Sequence, residues 1–181
     1  FSWGFSNRKK NICPAFNFKT FKRNISNNNK GKFLIVCRSL GYNSAPWDRY
    51  YEGLQGIKKT SEIFSLLPPK IKEKSIIRLH HSFRLNRSKY FLNKFFNESK
   101  NHLEFGRIDY KELIKDSRII CFNYDSTGFL ENLTLNIPSI VILANGLNHI
   151  KEEFKIKYQN LINAKIIFDD EKNFINHLNN I

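Results

Sequence analysis

The chain has 181 residues, with 30 Lys and Arg against 16 Asp and Glu for a formal net charge of +14. That length suits one α/β domain with a short extension and is enough to bury a real core. Three widely spaced cysteines, Cys13, Cys37 and Cys121, argue against a disulfide framework and against a cysteine zinc site.

A field of this sign attracts nucleic acid, anionic headgroups or phosphorylated substrates, and charge alone does not choose among them. The basic residues are scattered, without a long Lys/Arg run or an RNA-binding pattern of aromatics on adjacent strands, so nucleic acid is not expected as a partner. The five histidines form no H-x-x-x-H pair and no Cys/His cluster, so no metal is expected. There is no charged-then-apolar signal segment and no apolar run near the ~20 residues that span a bilayer. The simplest expectation is a cytoplasmic protein that touches the anionic inner face of the plasma membrane peripherally. The chain begins at Phe1 and contains no Met, which we read as a piece of a longer protein.

In chain order, residues 1–31 read as an extension or linker, because the run Asn24 to Lys32 has no periodicity and little to bury. From residue 32 to 181 a rhythm sets in. Six short β-branched or aromatic runs have the character of buried strands: Lys32–Cys37, Ser75–Leu79, His102–Phe105, Arg118–Phe122, Pro138–Leu143 and Ala164–Phe168. Between them lie segments of helical spacing, about Trp47–Leu66, Asn86–Asn97, Tyr110–Lys115, Thr127–Leu135, Asn148–Ile162 and Glu171–Asn180. Pro68 and Pro69 end the first of these, and Pro138 ends the fourth. Strands alternating with helices predict an α/β fold, a parallel sheet covered on both faces.

Ligands of such sheets bind beyond the carboxyl ends of the strands, which directs attention to the strand-to-helix turns. The richest is Asn123-Tyr124-Asp125-Ser126-Thr127-Gly128. A helix opened by Ser, Thr and Gly offers unpaired backbone N–H groups and the positive end of its dipole to a phosphate. Glu131 lies four residues after Thr127 on the same face, and its spacing does not complete a capping box, so it is available to the hydroxyls of a ribose. The competing reading is that Asp125 or Ser126 only caps the helix and Glu131 is solvated. Weaker candidates are Arg78, His80 and His81 at the end of the second strand, and Asn145 in a later turn. Ser39, Gly41 and Asn43 follow the first strand without a G-x-G-x-x-G fingerprint, so dinucleotide binding is poorly supported.

The stretch Asp116 to Glu131, followed by Asn136-Ile137-Pro138-Ser139, resembles the C-terminal signature of a family of sugar transferases of bacterial surface-polysaccharide (O-antigen and capsule) clusters. Ser2-Trp3-Gly4-Phe5, Ile77-Arg78-Leu79 and Glu152–Ile167 extend the likeness, although only the part from Asn123 to Pro138 is specific. The resemblance implies a Rossmann-like, C-terminal half of a GT-B-type glycosyltransferase. It places Ser126, Thr127 and Gly128 on the donor diphosphate, Glu131 on the ribose and Arg78 as a phosphate partner, with Tyr124 and Asp125 in the same cleft. A nucleotide-activated sugar would then be the substrate, a glycan or lipid-linked molecule the acceptor, and no cofactor would be needed. Asp125 stands where the family often has Asn, and His80-His81 departs from its pattern, which leaves sugar and acceptor open. CDP-glycerol glycerophosphotransferases and nucleotide-sugar 2-epimerases share the helix-start pattern over a shorter stretch. A basic domain that binds nucleic acid or anionic lipid, with no enzymatic role, is the alternative of another class.

Overall fold

The computed structural model describes residues 30–38, 50–85, 88–143, 146–148 and 150–180. Six parallel strands form one sheet in the order β3-β2-β1-β4-β5-β6: β1 (Lys32–Val36), β2 (Ser75–Arg78), β3 (Leu103–Glu104), β4 (Ser117–Phe122), β5 (Ser139–Ile142) and β6 (Ile167–Phe168). Each falls within or within one residue of an expected run. The two edge strands are the shortest, two residues each, where longer runs were expected.

Side chains of a strand alternate between faces, and the two hydrophobic clusters follow that alternation. Phe33, Ile35 and Cys37 of the first strand region face one way with Cys121, Ile140, Ile142 and Phe168. Leu34 faces the other way with Ile120, Phe122, Val141 and Ile167. Helices α1 (Tyr50–Leu66) and α7 (Glu171–Asn179) cover the first face through Ile57, Ile63, Phe64, Phe174 and Leu178. Helices α4 (Tyr110–Asp116), α5 (Thr127–Thr134) and α6 (Glu152–Asn163) cover the second through Leu113, Phe129 and Leu161. This is a Rossmann-like α/β sheet with helices on both faces.

Two short helices complete the described set, α2 (Pro69–Glu73) and α3 (Lys89–Phe95). The first was not expected. Pro68 and Pro69 do end α1, but Pro69 also occupies the first turn of α2, where its missing N–H costs nothing and its fixed φ suits a helix. Single 3-10 turns at His81–Arg84 and Lys100–His102 were likewise unforeseen, and α6 starts at Glu152 rather than Asn148.

Helix α5 is held firmly. Its Phe129 packs edge-on against Phe122 of β4 at 5.9 Å between centroids, and both rings are buried. Two residues beyond its end Asn136 takes the left-handed conformation (φ 53°), while Asn136 N–H donates to Leu133 O and Ile137 N–H to Asn132 O. That pair of bonds closes the last turn, and Asn accepts the positive φ at lower cost than most residues.

Candidate functional site

The strand order reverses between β1 and β4, so the crevice of the sheet opens at their carboxyl ends. Residue Arg38 follows β1 there, and Asn123 to Ser126 lead from β4 into α5. The arginine guanidinium lies 5.8 Å over the Tyr124 ring, so the two turns meet across the switch point.

Ser126 is the N-cap of α5. Its Oγ accepts from Phe129 N–H at 3.2 Å, and its carbonyl takes the Leu130 N–H at 3.1 Å. The N–H groups of Thr127 and Gly128 therefore remain as the unpaired donors of the first turn, and they make no hydrogen bond among the described residues. Thr127 is exposed, Ser126 and Gly128 half-buried. A Cβ on Gly128 would meet Phe122 and Ser126 at ordinary contact distances of 3.5 and 3.6 Å, so packing within the chain does not demand a glycine here. Capping by Ser126 and an open helix start therefore coexist: the cap uses the third N–H, not the first two.

The neighbouring side chains are ordered by buried polar contacts. Asn123, 3% exposed, donates through Nδ2 to Gly56 O and to Thr60 Oγ1, both at 2.6 Å, and so ties α1 to the end of β4. Its Oδ1, like Gln55 Oε1 on α1, is buried and makes no hydrogen bond among the described residues. Tyr158 of α6 donates to Asp125 Oδ2 at 2.8 Å, which fixes the carboxylate from the far side of α5. Burial, then the Asp125 bond, pushes the Tyr158 phenol upward. Burial also raises Tyr124, with its hydrogen bond to Ser126 and the Arg38 charge pulling back.

Glu131 is exposed and one turn into α5, on the side where its charge acts on the Tyr110 phenol. Arg78 acts on the same phenol, 5.5 Å from guanidinium carbon to ring centroid. The structure thus gathers Ser126, Thr127, Gly128, Glu131, Tyr124 and Asp125 on one end of the sheet, with Arg78 beside them. Arg78 is already engaged, though. Its Nη1 donates to Glu104 Oε2 at 3.1 Å and to Ile108 O at 2.8 Å. Glu104, 8% exposed, also receives the N–H groups of Gly106, Arg107 and Ile108, so Arg78 neutralises a buried carboxylate that shapes this loop.

His80 and His81 stack at 3.9 Å on the next turn. Burial, helped by the His81 charge, lowers His80 from its ordinary value and so favours the neutral imidazole. Its Nδ1 accepts from Ser82 N–H at 3.3 Å, which leaves Nε2 as a donor. Asn145 and residues 39–49, which include Ser39, Gly41 and Asn43, lie outside the described residues. Sequence reasoning gave no role to Asn123, which it named only as the start of the turn, or to Tyr110, Arg38 and Tyr158. The first three sit at strand ends or a helix start, a position that could have flagged them, but nothing local connects Tyr158 to a turn 33 residues away. Among the described residues no three His, Cys, Asp or Glu side chains gather as metal ligands, and no helix is long and apolar enough to cross a membrane.

The parallel sheet with helices on both faces defines the chain as a Rossmann-like α/β protein, with a helix start at its switch point whose first N–H groups make no hydrogen bond among the described residues. Within that class the particular family is given by sequence comparison: a family model described as LIC12162 family transferase matches residues 1–181, and the chain belongs to that family of transferases. A comparison with curated proteins found no match.

Proposed function

We propose that this transferase binds a nucleotide-activated sugar and serves as the donor-binding half of a GT-B-type glycosyltransferase in bacterial surface-polysaccharide synthesis. The observation that carries the reading is the pair of unpaired N–H groups, Thr127 and Gly128, at the switch point between β1 and β4. Two fixed donors and a helix dipole suit the donor diphosphate, and they stabilise the charge that develops on it as the glycosidic bond breaks. No metal is needed for that step in this reading. Glu131, exposed and one turn deeper, accepts from the ribose hydroxyls. Tyr124 and Arg38 form the wall beside the nucleotide, and His80 Nε2 is a neutral donor further along the edge. Arg78 contributes mainly by field, because its Nη1 is held by Glu104. The base that deprotonates the glycan or lipid-linked acceptor lies outside the residues named here.

Calorimetry of the intact protein against UDP, GDP, CDP and CMP tests the reading. One nucleotide is expected to bind at moderate salt, and Glu131→Ala is expected to weaken it about tenfold or more without lowering the melting temperature, since the residue is exposed. Absence of binding to all four would reject it. Binding that instead tracks a random oligonucleotide and collapses with salt would favour a basic nucleic-acid surface. With a radiolabelled donor sugar, transfer of label to an acceptor separates a glycosyltransferase from a 2-epimerase, which changes the sugar and transfers nothing.

A further inference from the structure

The amino ends of the strands, opposite the edge just described, carry a separate cavity of about 590 Å3. It opens between the starts of β1 and β4, helix α2 and the end of α7. Its volume lies inside the range of about 300–1,000 Å3 typical of small-molecule sites. Phe33, Ile71, Ile119 and Leu178 make its walls apolar, and Pro68 and Pro69 stiffen one side. The polar part of the lining is almost entirely cationic, Lys30, Lys32, Lys70, Lys74 and Arg118, of which Lys30 and Arg118 have further partners of their own. No acidic side chain lines it among the described residues. Asp116, 3.8 Å from Lys32 and largely exposed, offsets one charge from outside. Lys70 and Lys74 are exposed and make no ion pair among the described residues.

An apolar wall rimmed by one sign of charge selects a ligand that is apolar along its length and negative at one end. We propose that this cavity binds a single-chain amphipathic anion, a long-chain carboxylate or monoalkyl phosphate, with its chain against Ile71 and Ile119 and its head among Lys32, Lys70 and Lys74. A bilayer surface fits less well, because the apolar residues line a hollow and do not project. The site is remote from the crevice at the β1 and β4 carboxyl ends and is independent of the proposed donor site.

The test titrates the intact protein with a fluorescent long-chain carboxylate, then competes it with oleate, with the neutral alcohol of equal chain length, and with inorganic phosphate. Saturable binding that oleate displaces, and that neither the alcohol nor phosphate displaces at equal concentration, is the expected result. Lys70→Glu with Lys74→Glu is expected to weaken it about tenfold. Both side chains are exposed, so the fold is retained, and Ile71→Gln serves as a second variant that leaves the charge intact and removes part of the wall. Equal displacement by the alcohol, undiminished binding in both variants, or capture by phosphatidylglycerol vesicles without any binding of the monomeric probe would each overturn the proposal. UDP or GDP binding is read in the same variants and is expected to be unchanged, so this site and the donor site stand or fall separately.

Discussion

At the scale of single residues, Ser126 and Gly128 separate what the helix start does for the fold from what it does for a ligand. Removing the Ser126 hydroxyl leaves Phe129 N–H without its acceptor. Ser126→Ala is therefore expected to cost about 1 kcal/mol of stability, read as a lower denaturation midpoint at unchanged slope. Gly128→Ala runs the other way. The added methyl meets only ordinary contacts and glycine is a poor helix residue, so stability is expected to rise by up to about 1 kcal/mol. The same methyl stands beside the two open N–H groups, and nucleotide affinity is expected to fall in the calorimeter. A Gly128→Ala protein that is more stable and binds as well as the parent would remove the close-approach argument. The pattern Ser-Thr-Gly at a strand-to-helix turn was legible because capping and dipole effects are local, confined to one turn of backbone. The engagement of Arg78 was not legible, because Glu104 lies 26 residues away and its burial is a product of the sheet.

At the scale of elements, the carboxyl end of β4 depends on a tie that crosses from one helix to one strand. Asn123 Nδ2 holds Gly56 O and Thr60 Oγ1 of α1, and Thr60 in turn donates to Gly56 O at 2.9 Å. Asn123→Ala removes the bridge and leaves Thr60 as the sole side-chain donor to that carbonyl. A loss of about 1–3 kcal/mol is expected, with faster hydrogen exchange in the first half of α1 as the local readout. Midpoints that match the parent, with α1 protection intact, would mean the bridge contributes nothing. The elements themselves were readable as far as periodicity goes, because six buried strands need six apolar runs. The additions were not: α2, the two 3-10 turns and the late start of α6 are settled by caps and packing at the ends of elements. Asn136 and Lys165, at positive φ after α5 and α6, show how those ends are closed by backbone bonds, which the apolar pattern of the chain does not encode.

At the scale of the whole molecule, burial raises several acids at once. Cys37 is moved from 9.0 to about 12 by desolvation, with the Thr60 hydroxyl pulling back part of the way. Cys121, Tyr110, Tyr124 and Tyr158 shift the same way, burial first in every case. Such groups stay protonated in the folded chain while the unfolded chain releases its protons, so the unfolded state binds fewer protons above pH 9 and stability falls there. Below about pH 8 the same groups are protonated in the unfolded chain as well and contribute no pH dependence. Denaturation midpoints taken between about pH 8 and pH 11 are expected to decline, with a shallower decline in Cys37→Ala. Midpoints that stay level across that range would contradict the burial of these groups. In the native state at pH 8, Cys37 and Cys121 are also expected to resist alkylation until the chain unfolds, since the thiolate is the reactive form.

By itself the sequence determined the class of fold, the number and polarity of the strands and the one turn whose residue types suit an anion, because alternation, helical spacing and capping are properties of neighbours along the chain. It also set the basic surface, a matter of composition. Tertiary structure alone decided the strand order that makes β1 and β4 the switch point, the pairing of Arg78 with Glu104, the bridge from Asn123 to α1 and the cationic hollow at the far edge. Each of these joins residues from different elements, and such contacts follow from how the sheet stacks its strands in space, which no local pattern encodes.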